Sequence, residues 1–215
     1  MLDWMRRRAP FVAASLVLAL TLSGCAELRR AIETPTQEPT DPDLMRWTHL
    51  PVSYCLDLAQ GGYADDASFA QLVARAFQAW GVAAVDKGRC DGAMREGDNA
   101  NEIGWGSPPT ADNGHGVYEA GFTRIRYRAC TSDCHGAGTE LVEADIIIDR
   151  DPPRPYRSTR CLYAVVLHEV GHFLGLPHLP GPSVMAAVTG SCPQQLTATD
   201  RQALENAYPP GLGQR

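Results

Sequence analysis

Apolar residues recur along this chain with two different periods. Between about Asp66 and Ala84, the residues Phe69, Leu72, Val73, Ala76, Phe77 and Trp80 fall three and four apart, which places them on one stripe of a helix. Asp65 or Asp66 can cap its start, and Trp80 reads as core packing. A second helix is expected from about Thr159 to Leu174, with Leu162, Val165, Val166 and Val170 on its packed faces. A third follows Thr197, with Asp200 three residues on as in a capping box; Leu204 and Tyr208 turn inwards, and Pro209-Pro210 end it. Elsewhere the pattern alternates. Residues 51–56 (PVSYCL), 101–105 (NEIGW) and 122–128 (FTRIRYR) read as strands, and 141–149 (LVEADIIID) as a better-buried one stopped by Pro152 and Pro153. Arg124, Arg126 and Arg128 share one face of the third strand, as expected on an exposed edge. Residues 106–116, with two prolines and two glycines, form a loop in which His115 reads as solvated.

The first residues follow neither period. Arg6, Arg7 and Arg8 precede an apolar run from Phe11 to Leu22, which is too short for a membrane span of about twenty residues and reads as a signal-peptide core. It ends in Leu22-Ser23-Gly24-Cys25, which resembles the lipobox of bacterial lipoproteins. That resemblance implies removal of residues 1–24, lipidation of Cys25 and anchoring to the cell envelope, with Ala26 pointing to the outer membrane; an ordinary cleaved signal is the alternative. Residues 25–46 then form a tether rich in Thr, Pro and Glu, and the folded domain is expected over 47–215. No internal repeat and no second domain is visible.

Composition narrows the field. The chain of 215 residues is 44% hydrophobic and 20% charged, as globular proteins are. Loss of residues 1–24 removes three arginines and one aspartate and takes the net charge from −6 to −8. With no basic run left, nucleic acid is excluded as a partner, and a monomer is expected. Besides Cys25 there are six cysteines, Cys55, Cys90, Cys130, Cys134, Cys161 and Cys192, an even number that suggests three disulfides in an exported protein. They allow fifteen pairings. The short Cys130/Cys134 spacing favours the sequential set, Cys55–Cys90, Cys130–Cys134 and Cys161–Cys192. A rival reading joins Cys130, Cys134 and His135 in a second metal cluster, for which no nearby fourth ligand is visible.

The chemistry is concentrated in residues 168–178, HEVGHFLGLPH. His168 and His172, four apart on a helix, share a face and can bind one metal ion. Glu169 lies about 100° further round, off the ligand set but suited to hold a water from the side. Gly175 permits the left-handed turn that ends a helix and Pro177 prevents its continuation, so the chain can return with His178 as third ligand. Three neutral nitrogens and an open fourth position describe a catalytic zinc site, with Glu169 as general base.

This stretch resembles the HExxHxxGxxH signature of the metzincin metallopeptidases. AFQAWG in the first helix, ADIII in the last strand and LTATDRQALENAYP at the end extend the resemblance, over roughly residues 47–209, to the matrixin-like branch. It implies an α/β (α+β) fold: a twisted, mostly parallel sheet with one antiparallel edge strand, backed by helices, plus a small C-terminal subdomain. It implies one catalytic Zn²⁺, Met185 in a turn beneath it, and a protein or peptide substrate bound in extended form. Leu179 after the third histidine departs from the matrixin pattern, and no cysteine-switch propeptide is visible. The matrixin loop for a second zinc and calcium is not recognisable either, so structural calcium is not indicated by any residue. The expected activity is that of a zinc endopeptidase. The alternatives are a zinc-binding envelope protein without peptidase activity, or a zinc hydrolase acting on cell-wall peptides.

Overall fold

The computed structural model describes residues 41–109, 119–131, 134, 136–154, 156–187 and 191–210. The expected signal peptide, Cys25 and most of the tether fall outside these residues, as do His115 and His135. In chain order the elements are β1 (Asp41–Arg46), β2 (Val52–Asp57), α1 (Asp66–Trp80), β3 (Ala84–Arg89), β4 (Glu102–Gly106), β5 (Gly121–Ala129), β6 (Ala137–Asp149), α2 (Thr159–Phe173) and α3 (Ala198–Ala207). The strands form one sheet in which β3, β2, β4 and β6 lie side by side and parallel. β5 runs antiparallel to β6 over nearly its whole length, from Gly121 opposite Ile148 to Ala129 opposite Thr139. Since a strand has two edges, β1 and β4 must share the other edge of β6, β1 beside its first half and β4 beside its second.

The two faces of this sheet differ in kind. Val52, Tyr54, Leu56, Ile103, Trp105, Ile146 and Ile148 point to one side, where they are buried with Phe69, Phe77 and Trp80 of α1 and Leu162, Val166 and Phe173 of α2. The helices are locked by polar contacts at aromatic rims: the Trp80 indole donates to the Leu167 carbonyl at 2.8 Å, and the Trp47 indole to Phe173 at 2.8 Å. The opposite face carries buried acids, Asp57, Glu102, Glu143 and Asp145. Residues 94–99 supply main-chain amides to them: Met94 N–H donates to Asp57, Arg95 to Glu102, and Gly97 and Asn99 to the two oxygens of Glu143. The three arginines of β5 bend towards acids, Arg126 to Glu143 at 3.0 Å, Arg128 to Glu140 at 2.8 Å and Arg124 to Glu96 at 3.5 Å. They mark the exposed edge, and two of them also neutralise half-hidden or buried charge.

Two expectations are corrected. The first helix stops at Trp80, four residues before Ala84, because Gly81 takes a left-handed conformation (φ 72°) and its amide closes the last turn on Phe77 at 3.0 Å. The chain then forms β3, whose side chains are mostly exposed; its pairing is carried by the backbone and leaves no hydrophobic alternation to read. The tether likewise ends before residue 46, since Asp41–Arg46 joins the sheet as β1 through main-chain pairing with Ala137, Thr139 and Glu140. The cysteines are joined as Cys55–Cys90, Cys130–Cys134 and Cys161–Cys192. The second of these bonds removes both thiolates that a Cys130/Cys134/His135 metal cluster would need. Spans of 35 and 31 residues make the first and third worth about 3–4 kcal/mol each in loop-closure entropy.

Asp145 is the strained member of the acidic face. One of its oxygens accepts from the Glu102 amide at 3.2 Å, while Oδ2 is buried without a hydrogen-bond partner among the described residues. Burial, reinforced by the negative charges of Glu143 and Glu102 and only partly offset by Arg124, pushes its pKa up to about 7. A carboxyl with a raised folded-state pKa stabilises the fold at low pH and loses that contribution as pH rises through the folded value. Raising the pH from 5 to 8 is therefore expected to destabilise the wild type relative to Asp145→Asn, on the order of 2–4 kcal/mol. Urea unfolding at several pH values measures the difference; parallel curves for the two proteins would exclude Asp145 as the source.

Candidate metal centre and cleft

Helix α2 is capped by Ser158, whose hydroxyl accepts from the Cys161 amide at 3.2 Å, and ends in a tight turn. There Gly175 has φ 87°, and the Leu176 amide reaches back to the Gly171 carbonyl at 3.0 Å. A side chain at 175 would also strike the main chain of β1, since a Cβ would lie 2.4 Å from the Met45 carbonyl oxygen. The turn brings His178 towards the helix. The ligand nitrogens of His168, His172 and His178 all lie within 4.8 Å of one another, and the ring centroids are 4.6, 4.7 and 5.4 Å apart.

Hydrogen bonds set the tautomers. His168 Nδ1 lies 2.7 Å from the Val184 carbonyl oxygen, and His172 Nδ1 lies 2.8 Å from that of Leu176. A carbonyl only accepts, so both Nδ1 atoms carry the proton and both Nε2 atoms present lone pairs. Burial, with the neighbouring imidazoles adding to it, lowers the pKa of His172 to about 4, and burial lowers that of His168 as well, so both rings are neutral at pH 7. Their Nε2 atoms face each other at 3.0 Å. Two lone pairs at that distance repel, and a cation between them removes the conflict. Neutral imidazole nitrogens with one exposed third ligand suit Zn²⁺ and leave room for a further ligand from solvent.

Beneath the histidines lies Met185, fully buried against Gly171, where a Cβ would come within 2.2 Å of the methionine sulfur. The turn that carries it is held by Asp200 of α3. This carboxylate is buried and accepts from the amides of Val184 (3.0 Å), Met185 (3.3 Å) and Thr197 (2.8 Å), and from the hydroxyls of Thr197 and Ser183. Burial alone would push its pKa up, but these donors outweigh burial and leave it below the usual carboxylate range. Val184 thus bonds Asp200 through its own N–H and His168 through its own carbonyl. Asp200 is legible in the sequence as a helix cap; its hold on a metal ligand through Val184 appears only in three dimensions.

Glu169 is 5% exposed and lies on the side of α2 that faces β5. Burial pushes its pKa up to about 7, against a hydrogen bond from Thr123, with Glu119 adding to the rise. The cleft over these groups has a volume of about 850 Å³ and is bounded by β5 on one side and by the turn after Met185 on the other. Met45, Tyr156 and the Cys161–Cys192 bond also line it. None of these contributions has a local sequence signature, because each depends on which elements meet at the cleft.

Three convergent imidazoles, with a buried glutamate beside them and a methionine turn below, thus sit on a mostly parallel sheet with an antiparallel edge strand. Residues 46–209 match the matrixin family of peptidases (Peptidase M10), and the chain belongs to that family. No curated protein matches it.

The role of Asp200 is testable without substrate. Asp200→Ala leaves several buried donors without an acceptor and is expected to cost about 3 kcal/mol or more of stability. It should also weaken zinc binding by about 10–100-fold, because Val184 loses its anchor. Chemical unfolding and competition with a chromophoric chelator measure the two effects. Unchanged zinc affinity would show that His168 is oriented without Asp200.

Proposed function

We propose that this protein is a zinc-dependent endopeptidase that cleaves extended peptide segments outside the cytoplasm. The observation that carries the reading is the meeting of His168, His172 and His178 with the buried carboxyl of Glu169 at the floor of a cleft whose wall is a sheet edge. The three histidines would hold the ion. Zinc bound there supplies Lewis acidity to a carbonyl and acidifies water. Glu169 takes the proton of the attacking water and returns it to the departing amine. β5 pairs with β6 along one edge, and among the described residues no strand pairs with the other; an extended substrate can add there as a further strand, its backbone bonds supplying affinity and its side chains selectivity.

For location, the support lies in the N-terminal sequence and in the three disulfides, which persist in oxidising compartments. Acyl chains on Cys25 would hold the domain to the cell envelope. The residues from Cys25 to β1 could reach about 50 Å when extended. No helix among the described residues is long and apolar enough to cross a membrane. Cys25→Ser is expected to abolish acylation by a labelled fatty acid and to release the protein from the membrane fraction. Equal labelling of both forms would refute lipidation at Cys25.

For activity, Glu169→Ala should keep one zinc per chain and lose turnover by at least about 100-fold, whereas His172→Ala should lose both zinc and turnover. Mass-spectrometric mapping of a mixed peptide library reads the result. Chelator-sensitive cuts by the wild type alone support the assignment. A Glu169→Ala protein as active as the wild type would refute the role of that residue. A wild type that binds zinc and makes no cuts would favour a binding protein or a hydrolase of cell-wall peptides.

A further inference from the structure

β5 touches the reaction centre in two places besides offering an edge. At Gly121 a Cβ would lie 2.7 Å from Val165 Cγ1, 2.8 Å from Glu169 Cγ and 2.9 Å from Glu169 Oε1, so any side chain there collides with the glutamate. Two residues on, and therefore on the same side of the strand, the Thr123 hydroxyl lies 2.7 Å from Glu169 Oε2 and 3.0 Å from the Glu169 carbonyl oxygen. The lack of a side chain at Gly121 leaves the carboxylate its space, and the Thr123 contact specifies where in that space it stays.

We propose that Thr123 is a positioning residue for hydrolysis, holding the Glu169 carboxylate in the orientation from which it exchanges a proton, in a space kept open by Gly121. The proposal rests on the reading of Glu169 as the general base. A glutamate has three rotatable side-chain bonds, and its usefulness as a base depends on holding one arrangement within hydrogen-bond reach of the proton it takes. The main chain of α2 provides a fixed reference: the Glu169 carbonyl oxygen belongs to the helix, and Thr123 bridges it to the mobile end of the same residue. A hydroxyl both donates and accepts, so it can bond Glu169 whether that carboxyl is ionised or carries a proton. A valine of the same shape can do neither. Because β5 is also the strand on which substrate would add, the element that aligns the substrate also orients the base.

The test uses the full-length zinc-loaded protein and a peptide that it cleaves. Thr123→Val is expected to lower kcat by at least about 10-fold, with KM within about 2-fold and one zinc retained per chain. Thr123→Ser should restore kcat to within about 3-fold of the wild type, because the hydroxyl returns. Glu169→Asp withdraws the carboxylate by one methylene from Thr123, so adding Thr123→Val to it should cost less than about 2-fold. Should Thr123→Val fail to fold, Gly121→Ala displaces the same carboxylate sterically and should likewise lower kcat while zinc is kept. Wild-type kcat in Thr123→Val with an inactive Glu169→Ala would overturn the inference and leave the base intact. An equal loss in the Glu169→Asp background, or a loss that tracks zinc release and is not rescued by serine, would also overturn it. Full turnover by Glu169→Ala would instead remove the underlying reading.

Discussion

A histidine can give a lone pair to a metal from one nitrogen only if the other keeps its proton, and much of this molecule serves that condition. The two helical histidines meet it by donating Nδ1 to main-chain carbonyls, Val184 for His168 and Leu176 for His172. Neither carbonyl belongs to a regular element. Leu176 is placed by the glycine turn that ends α2, and Val184 by the turn that carries Met185, itself clamped by Asp200 from α3. The C-terminal segment therefore contributes no atom to the histidine cluster yet orients one of its members. Burial then keeps the rings neutral, which is the state that a metal ligand requires.

The sheet balances two environments. Its helix-covered face follows the usual rule that apolar side chains leave water, with α1 and α2 closing over the strands. Its other face buries carboxylates, which is tolerable only because the amides of residues 94–99 and the arginines of β5 bond to them. The Cys55–Cys90 bond ties β2 to the residue just after β3, and the chain leads from there into those amides. That stretch of irregular chain is thus secured by a covalent bond at its start and by charge-assisted hydrogen bonds along its length.

The edge strand brings these environments together. On one side of β5 the arginines answer the acids; on the other, Gly121 and Thr123 meet Glu169. Pairing to β6 is antiparallel and extends over nearly the whole strand, which gives it a rigid backing, and among the described residues no strand pairs with its outer edge, where a substrate would add in the proposed mode.

What the sequence by itself determined is whatever depends on near neighbours in the chain. The spacing of His168, Glu169 and His172 on a helix, the turn at Gly175, the stripe of α1 and the capping box at Thr197 all follow from local geometry, and each is present in the fold. Local rules failed where side chains carry no pattern. β1 and β3 are strands through backbone pairing with distant partners, and the end of α1 was set by one glycine within an otherwise continuous apolar series. The sequential pairing that the cysteine spacing favours is the one the fold adopts, whereas only the tertiary structure decided that Asp200 reaches His168 through Val184 and that Thr123 meets Glu169. Such contacts join residues tens of positions apart, and their partners are chosen by how strands and helices pack, which no short window of residues encodes.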